Sequence, residues 1–182
     1  MSRYRRAAIC GGTYFFTVVT YRRRPVLCDA PVRVALRSAV KSVQSRQPFA
    51  IDAWVLLPDH LHCIWTLPPG DHDFSNRWRV IKRSVSLACA AAYHRPEWMT
   101  ASKTKHREST LWQRRYWEYA IRDETDFSRC VDYIYINPVK HGQVTRTVDW
   151  PYSTFHRDVA CGLYVTDWGG DPDLQLNIGE VE

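Results

Sequence analysis

Residues 49–67 read FAIDAWVLLPDHLHCIWTL, and the predicted topology of the chain is built around this segment. Two short apolar runs, Phe49 to Leu57 and His60 to Leu67, stand on either side of Pro58-Asp59. Runs of this length that are rich in β-branched and aromatic residues, with a proline-containing break between them, are typical of adjacent strands. The stretch therefore predicts two antiparallel strands joined by a tight turn.

The residues before this hairpin predict one strand and one helix. Thr13 to Thr20 is β-branched and aromatic and is ended by an arginine run and a proline, so it predicts a buried strand. A helix follows, because Pro31 suits a first helical turn and apolar residues recur at helical spacing from Val32 to Val43. The chain therefore enters the hairpin from a β-α unit.

The residues after the hairpin predict a helix, a surface loop, a strand and a last helix. The first three segments are Asp73 to Tyr93, His94 to Ser109 and Leu111 to Ile121, and the last helix begins near Asp123 or Thr125. We expect this helix to end close to Asn137, because Pro138 disfavours helical backbone in the residue before it.

The resulting order, β-α-β-β-α-loop-β-α, predicts the fold class. It is α+β, a ferredoxin-like or RRM-like split βαβ arrangement in which helices pack on an antiparallel sheet. No repeat or second core is visible in the sequence, so we expect one domain over residues 1–168, with a surface loop near 94–109 and an acidic tail over 169–182.

Composition excludes several classes of protein. The chain has 182 residues, of which 45% are hydrophobic and 24% charged, and only 8 are glycine. These values exclude collagen-like and wholly disordered chains. No uncharged apolar stretch reaches the roughly 18 to 20 residues of a membrane span, so we expect a soluble protein that binds no membrane. The six cysteines show no CxxC pair, and we expect reduced thiols.

Positive charge is concentrated in two blocks. The net charge is +6, but residues 1–46 contain ten Lys or Arg against one acid, and residues 77–115 contain ten against two. Arginine dominates the first block, and its planar guanidinium holds phosphate and stacks on bases. The pattern indicates a polyanion binder, with a solvated basic surface as the alternative.

His60 and His62 are the first candidates for chemistry. Side chains two residues apart on a strand share a face, so both imidazoles can bind one metal ion. Leu61 and Cys63 then anchor the strand on the opposite face. Two imidazoles leave coordination positions open, which suits an ion that acts on a substrate. The alternative is a pair of ordinary hydrogen-bonded histidines.

Tyr133 and Asn137 on the last helix are the second candidates. They are four residues apart, hence neighbours, and both lie on one flank of the apolar stripe that contains Cys130 and Ile134. Tyr135 lies on the other flank, so periodicity does not choose between the two tyrosines. A boundary tyrosine beside a helix-ending asparagine is the alternative.

Together these residues resemble a known family. His60-Leu61-His62 resembles the motif of the single-tyrosine HUH nucleases, and residues 133–142, YIYINPVKHG, resemble the catalytic helix of the REP-associated tyrosine transposases, relatives of the IS200-type transposases. Further similar segments are residues 11–17, 54–68 and 149–157. The resemblance covers about residues 3 to 168, so the single domain is identified as an HUH-type transposase domain.

The resemblance implies a reaction and a set of roles. His60 and His62 match metal ligands, Asn137 matches a third ligand where insertion-sequence relatives carry Gln, and Tyr133 matches the nucleophile. It implies a single-stranded DNA endonuclease and strand transferase that uses Mg²⁺ or Mn²⁺ and forms a covalent 5′-phosphotyrosine. The implied substrate is single-stranded DNA beside REP-type stem-loops, handled by a monomer, with a dimer left open, in the cytoplasm at the nucleoid.

The basic blocks supply the DNA-binding candidates for this function. They are Arg3, Arg5, Arg6, Arg22, Arg23, Arg24, Arg77, Arg79, Lys82, Arg83, Arg114 and Arg115. Two other functions stay open at this point. One is a non-catalytic RRM-like module that binds RNA or single-stranded DNA. The other is a zinc hydrolase in which a carboxylate such as Asp59 joins His60 and His62.

Overall fold

The computed structural model describes residues 9–173, and its centre is one antiparallel sheet. The strands are β1 (Thr13–Val19), β2 (Ala50–Leu56), β3 (His60–Thr66) and β4 (Trp117–Ala120). Their order across the sheet is β2-β3-β1-β4, so the two strands of the hairpin pair directly and β1 lies beside β3. The predicted α+β fold, an antiparallel sheet with helices packed on it, is confirmed.

Helices cover both faces of this sheet. They are α1 (Ala30–Arg46), α2 (Phe74–Ala88), α3 (Ala90–Tyr93), α4 (Ala101–Lys105), α5 (Glu124–Lys140) and α6 (Phe155–Ala160). The helices α1 and α2 pack together on one face, and α5 packs on the other face over β2 and β3. No helix within residues 9–173 has the length and apolar character that crossing a membrane requires.

Alternation along β3 separates a structural face from a chemical face. Leu61, Cys63 and Trp65 are fully buried toward α1 and α2, where Trp65 stacks on Trp78 with ring centroids 4.2 Å apart. The residues between them, including His62, point to the opposite face, where α5 lies. The strand that carries the imidazoles is therefore held by a large aromatic core behind it.

Four elements differ from the sequence predictions. The helix predicted over 73–93 is divided at Cys89 into α2 and α3. The helix α5 continues to Lys140 with Pro138 inside it, because a proline in the last turn removes only one backbone hydrogen bond. The strand predicted within 111–121 is limited to β4, with one separate bridge between Thr20 and Trp112. Residues 94–109 contain the 3₁₀ turn Pro96–Trp98 and the short helix α4.

Candidate active site

His60 and His62 form a compact pair on the face of the sheet that α5 covers. Their ring centroids are 4.9 Å apart, at an angle of 79°, and both side chains are buried. The pair is a direct result of strand periodicity, since Leu61 between them is completely buried on the other face. The two imidazoles therefore stand on a rigid support.

Each imidazole is oriented through its Nδ1 atom. Nδ1 of His60 lies 2.7 Å from Oδ1 of Asp59, and Nδ1 of His62 lies 2.9 Å from Oγ1 of Thr17 on β1. Histidines that bind metal commonly engage their other ring nitrogen in such a bond, which fixes the tautomer and the ring direction. Both histidines thus have the outer contacts that ligating imidazoles use.

Asp59 is an ionised carboxylate in this arrangement. Burial favours its neutral form, but the hydrogen bond and charge of His60, together with Arg23, outweigh burial and lower the pKa of Asp59 to about 2. Arg23 donates to Oδ2 of Asp59 at 3.1 Å from a left-handed backbone turn, in which Arg22 also has a positive φ. Both oxygens of Asp59 therefore have partners, which does not suit a direct zinc ligand.

The helix α5 places three side chains opposite the histidines. Tyr133, Asn137 and His141 follow one another at four-residue intervals, so they lie along one side of the helix. The Tyr133 ring is 5.4 Å from the His62 ring, and the exposed His141 ring is 5.0 Å from the His60 ring. Asn137 lies between Tyr133 and His141 in this four-residue spacing, and therefore on the side of α5 that meets the histidine pair.

Asn137 fits the role of a metal ligand for a specific physical reason. Its side chain is fully buried, yet neither its amide oxygen nor its amide nitrogen has a hydrogen-bond partner. A buried polar group without a partner costs about 1–3 kcal/mol. Within residues 9–173 no group of three His, Cys, Asp or Glu side chains could hold a metal. The unpartnered amide of Asn137 is therefore the candidate for a third protein donor beside the histidines.

Burial and the surrounding positive charge both favour the neutral form of His62. Burial, followed by the positive potentials of His60, His141, Lys140 and Arg23, lowers the pKa of His62 well below its usual value. Neutral imidazole is the form that binds metal.

The structure distinguishes Tyr133 from Tyr135, which helical periodicity alone could not rank as candidate nucleophiles. The Tyr133 side chain is 2% exposed and packs against Phe15 and His62, with Nζ of Lys140 4.9 Å from its ring centroid. Tyr135 points away and donates its hydroxyl hydrogen bond to Asp158; burial and this bond raise the pKa of Tyr135. Only Tyr133 of the two lies at the histidines.

The basic candidates divide into several environments. Arg3, Arg5 and Arg6 lie outside the described residues. Arg22 and Arg24 lie over the Trp98 ring, at 4.8 and 5.1 Å, and Arg24 also donates to the backbone oxygen of Tyr93. These two guanidiniums mark a cationic and aromatic surface after β1.

Arg77 corrects the sequence prediction. Its side chain is 1% exposed and is held by the Asp71 carboxylate and by backbone oxygens of Gln47, Pro48 and Asp73. A guanidinium that is buried and saturated in this way ties α2 to the start of β2. Arg77 therefore serves the fold and does not contribute to a DNA-binding surface.

The other five DNA-binding candidates of the second block lie on α2 and just before β4. Nζ of Lys82 on α2 donates to the backbone oxygens of Gln113 and Arg114, at 2.6 and 3.2 Å. The nearby side chains of Arg79, Arg83, Arg114 and Arg115 are exposed, and Arg114 pairs with Glu108 at 3.3 Å. These residues form one basic surface that leads into β4.

Sequence reasoning missed four side chains of this site. Lys140 and His141 lie at the end of the tyrosine motif, after Pro138, and their position close to the histidines could be inferred only once α5 was known to continue past Pro138. Thr17 and Trp117 are in register with His62, in the row Val55–His62–Thr17–Trp117 across all four strands. Strand pairing places them there, and no local sequence signal marks it.

Comparison with known proteins identifies a family to which this chain is similar over most of its length. The family model described as "Transposase IS200 like" matches residues 10–137. The REP-associated tyrosine transposase of Escherichia coli (strain K12) is 52% identical over 171 residues, which are 94% of this chain and 93% of that protein. A solved structure of a REP-associated tyrosine transposase bound to a REP hairpin superposes with a TM-score of 0.84 and 49% identity, covering 100% of this chain and 99% of the other.

Proposed function

Because this chain belongs to the REP-associated tyrosine transposases of the IS200-like family, and is thus a DNA transposase, we propose that it nicks and rejoins single-stranded DNA beside REP-type hairpins through a covalent phosphotyrosine. One observation carries the mechanism: the Tyr133 ring lies 5.4 Å from the His62 ring, and Asn137 follows Tyr133 by four residues on the same side of α5. The nucleophile and the three metal-ligand candidates therefore lie on the facing sides of β3 and α5. Such an enzyme works at the nucleoid in the cytoplasm.

The residues present fit a divalent ion. His60, His62 and Asn137 would hold it, since both histidines have oriented Nδ1 atoms and the Asn137 amide is buried without a partner. Imidazole suits transition metals and hard oxygen donors suit magnesium, and family membership favours Mg²⁺ or Mn²⁺. When bound, the ion would polarise the scissile phosphate.

Tyr133 performs the covalent step. Its oxygen forms a bond to phosphorus while the bond from phosphorus to the 3′ oxygen breaks, so the 5′ phosphate stays on the tyrosine. The phenol loses its proton, and the departing 3′ oxygen is released as a hydroxyl. Attack by a 3′ hydroxyl on the phosphotyrosine reverses the step and joins strands without a nucleotide cofactor. Nζ of Lys140 lies 4.9 Å from the centroid of the Tyr133 ring and so places a positive charge beside this nucleophile.

Trp117 and Tyr119 give the DNA strand a path to this site. Their rings are parallel within 7°, with centroids 6.0 Å apart, and both are half-buried on the edge strand β4. Trp117 is in the same row as Thr17 and His62, and the exposed Arg114 and Arg115 precede it. Flat aromatic rings beside cations stack unpaired bases while the cations hold phosphate. We infer that the substrate strand crosses β4 on its way to Tyr133.

Trp117→Ala tests this path. We expect the affinity for a hairpin oligonucleotide with a single-stranded flank to fall by about fivefold to a hundredfold, the range for loss of one stacking ring. Trp117→Phe keeps a flat ring and is expected to retain most of the affinity. Fluorescence anisotropy measures both. An unchanged affinity in a folded Trp117→Ala variant would show that the DNA strand does not cross β4.

Asn137→Leu separates a functional amide from a structural one. Leucine has a similar volume and removes the buried polar group, so we expect the free energy of unfolding to stay equal or rise by up to about 1–3 kcal/mol. Cleavage is expected to fall and to require more Mn²⁺. Thermal unfolding and a metal titration of cleavage measure the two effects. A loss of stability with unchanged cleavage would assign Asn137 to the fold.

Incubation with a labelled hairpin oligonucleotide and Mn²⁺ tests the function itself. A protein–DNA adduct that survives denaturing electrophoresis is expected, with the label retained only when it lies on the 5′-phosphate side of the nick. Preferential binding of RNA that is indifferent to chelator, without an adduct, would favour the RRM-like module. One tightly bound zinc ion and hydrolysis without an adduct would favour the zinc hydrolase.

A further inference from the structure

A groove on the far side of the sheet is separate from the candidate active site. Its volume is about 490 Å³, and it lies between α1 and the outer edge of β2. Trp54 and Leu56 line it, whereas Val55 between them belongs to the core on the side of the histidines. The groove therefore opens on the face of the sheet opposite to His60 and His62.

The charge of this groove has one sign. Arg33, Arg37 and Lys41 line it at four-residue intervals on α1, about 6 Å apart along the helix axis, and the lining contains no Asp or Glu. The helix α1 itself has no acidic residue. Within the described part of the chain no carboxylate forms an ion pair with any of the three. A row of unneutralised cations at this spacing suits consecutive phosphates.

The groove is formed before any ligand arrives. Nε of Arg33 donates to the backbone oxygen of Cys28 at 2.9 Å, and its guanidinium lies 4.5 Å from the centre of the Tyr152 ring. These contacts hold Arg33 in place, and no acceptor within residues 9–173 engages its two terminal nitrogens. Stacked and oriented in this way, the guanidinium loses little conformational entropy when it binds phosphate.

The outer wall of the groove is fixed to β2. Residues 151–154 run along this strand, where Leu56 donates to the backbone oxygen of Tyr152 at 2.9 Å and Thr154 donates to that of Trp54 at 2.9 Å. Ser153 pairs with Val55, and Val55 is the register partner of His62 on β3. Groove and histidine pair therefore occupy opposite faces of the same two strands.

We propose that this groove binds the phosphodiester backbone of an unpaired segment of the DNA substrate, flanking the phosphate that Tyr133 attacks. Arg33, Arg37 and Lys41 contact successive phosphates, and the half-buried rings of Trp54 and Tyr152 contact sugars or bases. A strand that leaves the active site reaches the groove by passing around residues 151–154. The identity of the ligand as DNA rests on the proposed function, and the existence of the cationic groove does not.

The test compares binding of two hairpin oligonucleotides, one with single-stranded flanks and one blunt, in the presence of chelator so that no cleavage occurs. The double variant R37Q/K41Q is expected to bind the flanked oligonucleotide roughly tenfold to thirtyfold more weakly at 0.1 M salt, with a salt slope smaller by about 1.4, since each single-strand phosphate contact contributes about 0.7. Binding of the blunt hairpin is expected to change less than about threefold. The matched control is R46Q/K105Q, which removes two exposed cations outside the groove.

Several outcomes overturn the proposal. Equal losses on both oligonucleotides place the hairpin and not the flank in the groove. If R37Q/K41Q and R46Q/K105Q lose the same affinity for the flanked oligonucleotide, or if neither loses any, the groove is only a solvated basic surface. If RNA of the same sequence binds more tightly than the DNA, the groove is a binding site for RNA and not for the DNA substrate. Because chelated binding is independent of the adduct assay, a flank-specific loss without any adduct would refute the transposition chemistry alone.

Discussion

Tyr133→Phe is expected to abolish the protein–DNA adduct and to lower strand cleavage by about 10⁴-fold or more, the scale seen when a covalent nucleophile is removed. Phenylalanine has the same ring but no oxygen to bond phosphorus, so the contacts with Phe15 and His62 persist while the covalent step cannot occur. Hairpin binding is expected to stay within about threefold of the unsubstituted protein. A labelled oligonucleotide with Mn²⁺, followed on denaturing gels, measures adduct and cleavage together.

Tyr135→Phe is the matched control for this prediction. It removes a tyrosine hydroxyl from the same helix, but one that donates to Asp158 and lies near Thr154, away from the histidines. We expect the adduct to form at the usual rate, with a loss of about 1–3 kcal/mol in the free energy of unfolding because the buried Asp158 loses a donor. An adduct that persists in Tyr133→Phe would end the assignment, and its disappearance in Tyr135→Phe alone would move the nucleophile to Tyr135.

The hairpin and the helix stripe were predictable from sequence because each follows from local periodicity. The alternation that buries Leu61 and Cys63 also places His60 and His62 on the opposite face, so the imidazole pair followed from four consecutive residues. The choice between Tyr133 and Tyr135 did not follow, since both flank the same apolar stripe. It depends on Asp158, which the chain supplies from a distant helix.

The number of basic residues could be read from the sequence, but their positions in the folded protein could not. The sequence shows two basic blocks, yet it does not show that Arg77 is buried against Asp71, nor that Arg33, Arg37 and Lys41 share a groove with Tyr152. Both facts arise where segments far apart in sequence meet. The backbone at Pro138 is a similar case. The local preference of a proline against helix is outweighed by the buried packing of α5, which therefore continues to Lys140 and brings His141, the residue after it, to the site.

His62→Ala is expected to produce the second large effect, a loss of cleavage of more than about 100-fold, which exceeds the usual effect of removing only an outer contact of a metal ligand. The substitution removes one of three candidate ligands and also the Nδ1 partner of Thr17. Chelation of the unsubstituted protein is expected to reproduce the loss, and added Mn²⁺ is expected to restore the unsubstituted protein fully and the variant poorly.

Two readouts distinguish a lost ligand from a damaged fold. The exposed His106 provides a control, since His106→Ala removes an imidazole outside the site and is expected to leave cleavage and its Mn²⁺ dependence unchanged. In His62→Ala, hairpin binding in chelator is expected to persist, because the basic surfaces at α2 and β4 do not depend on the histidine. Cleavage by His62→Ala at the ordinary rate and Mn²⁺ concentration would show that the imidazole pair holds no catalytic ion, and Tyr133 would then require a different source of phosphate activation.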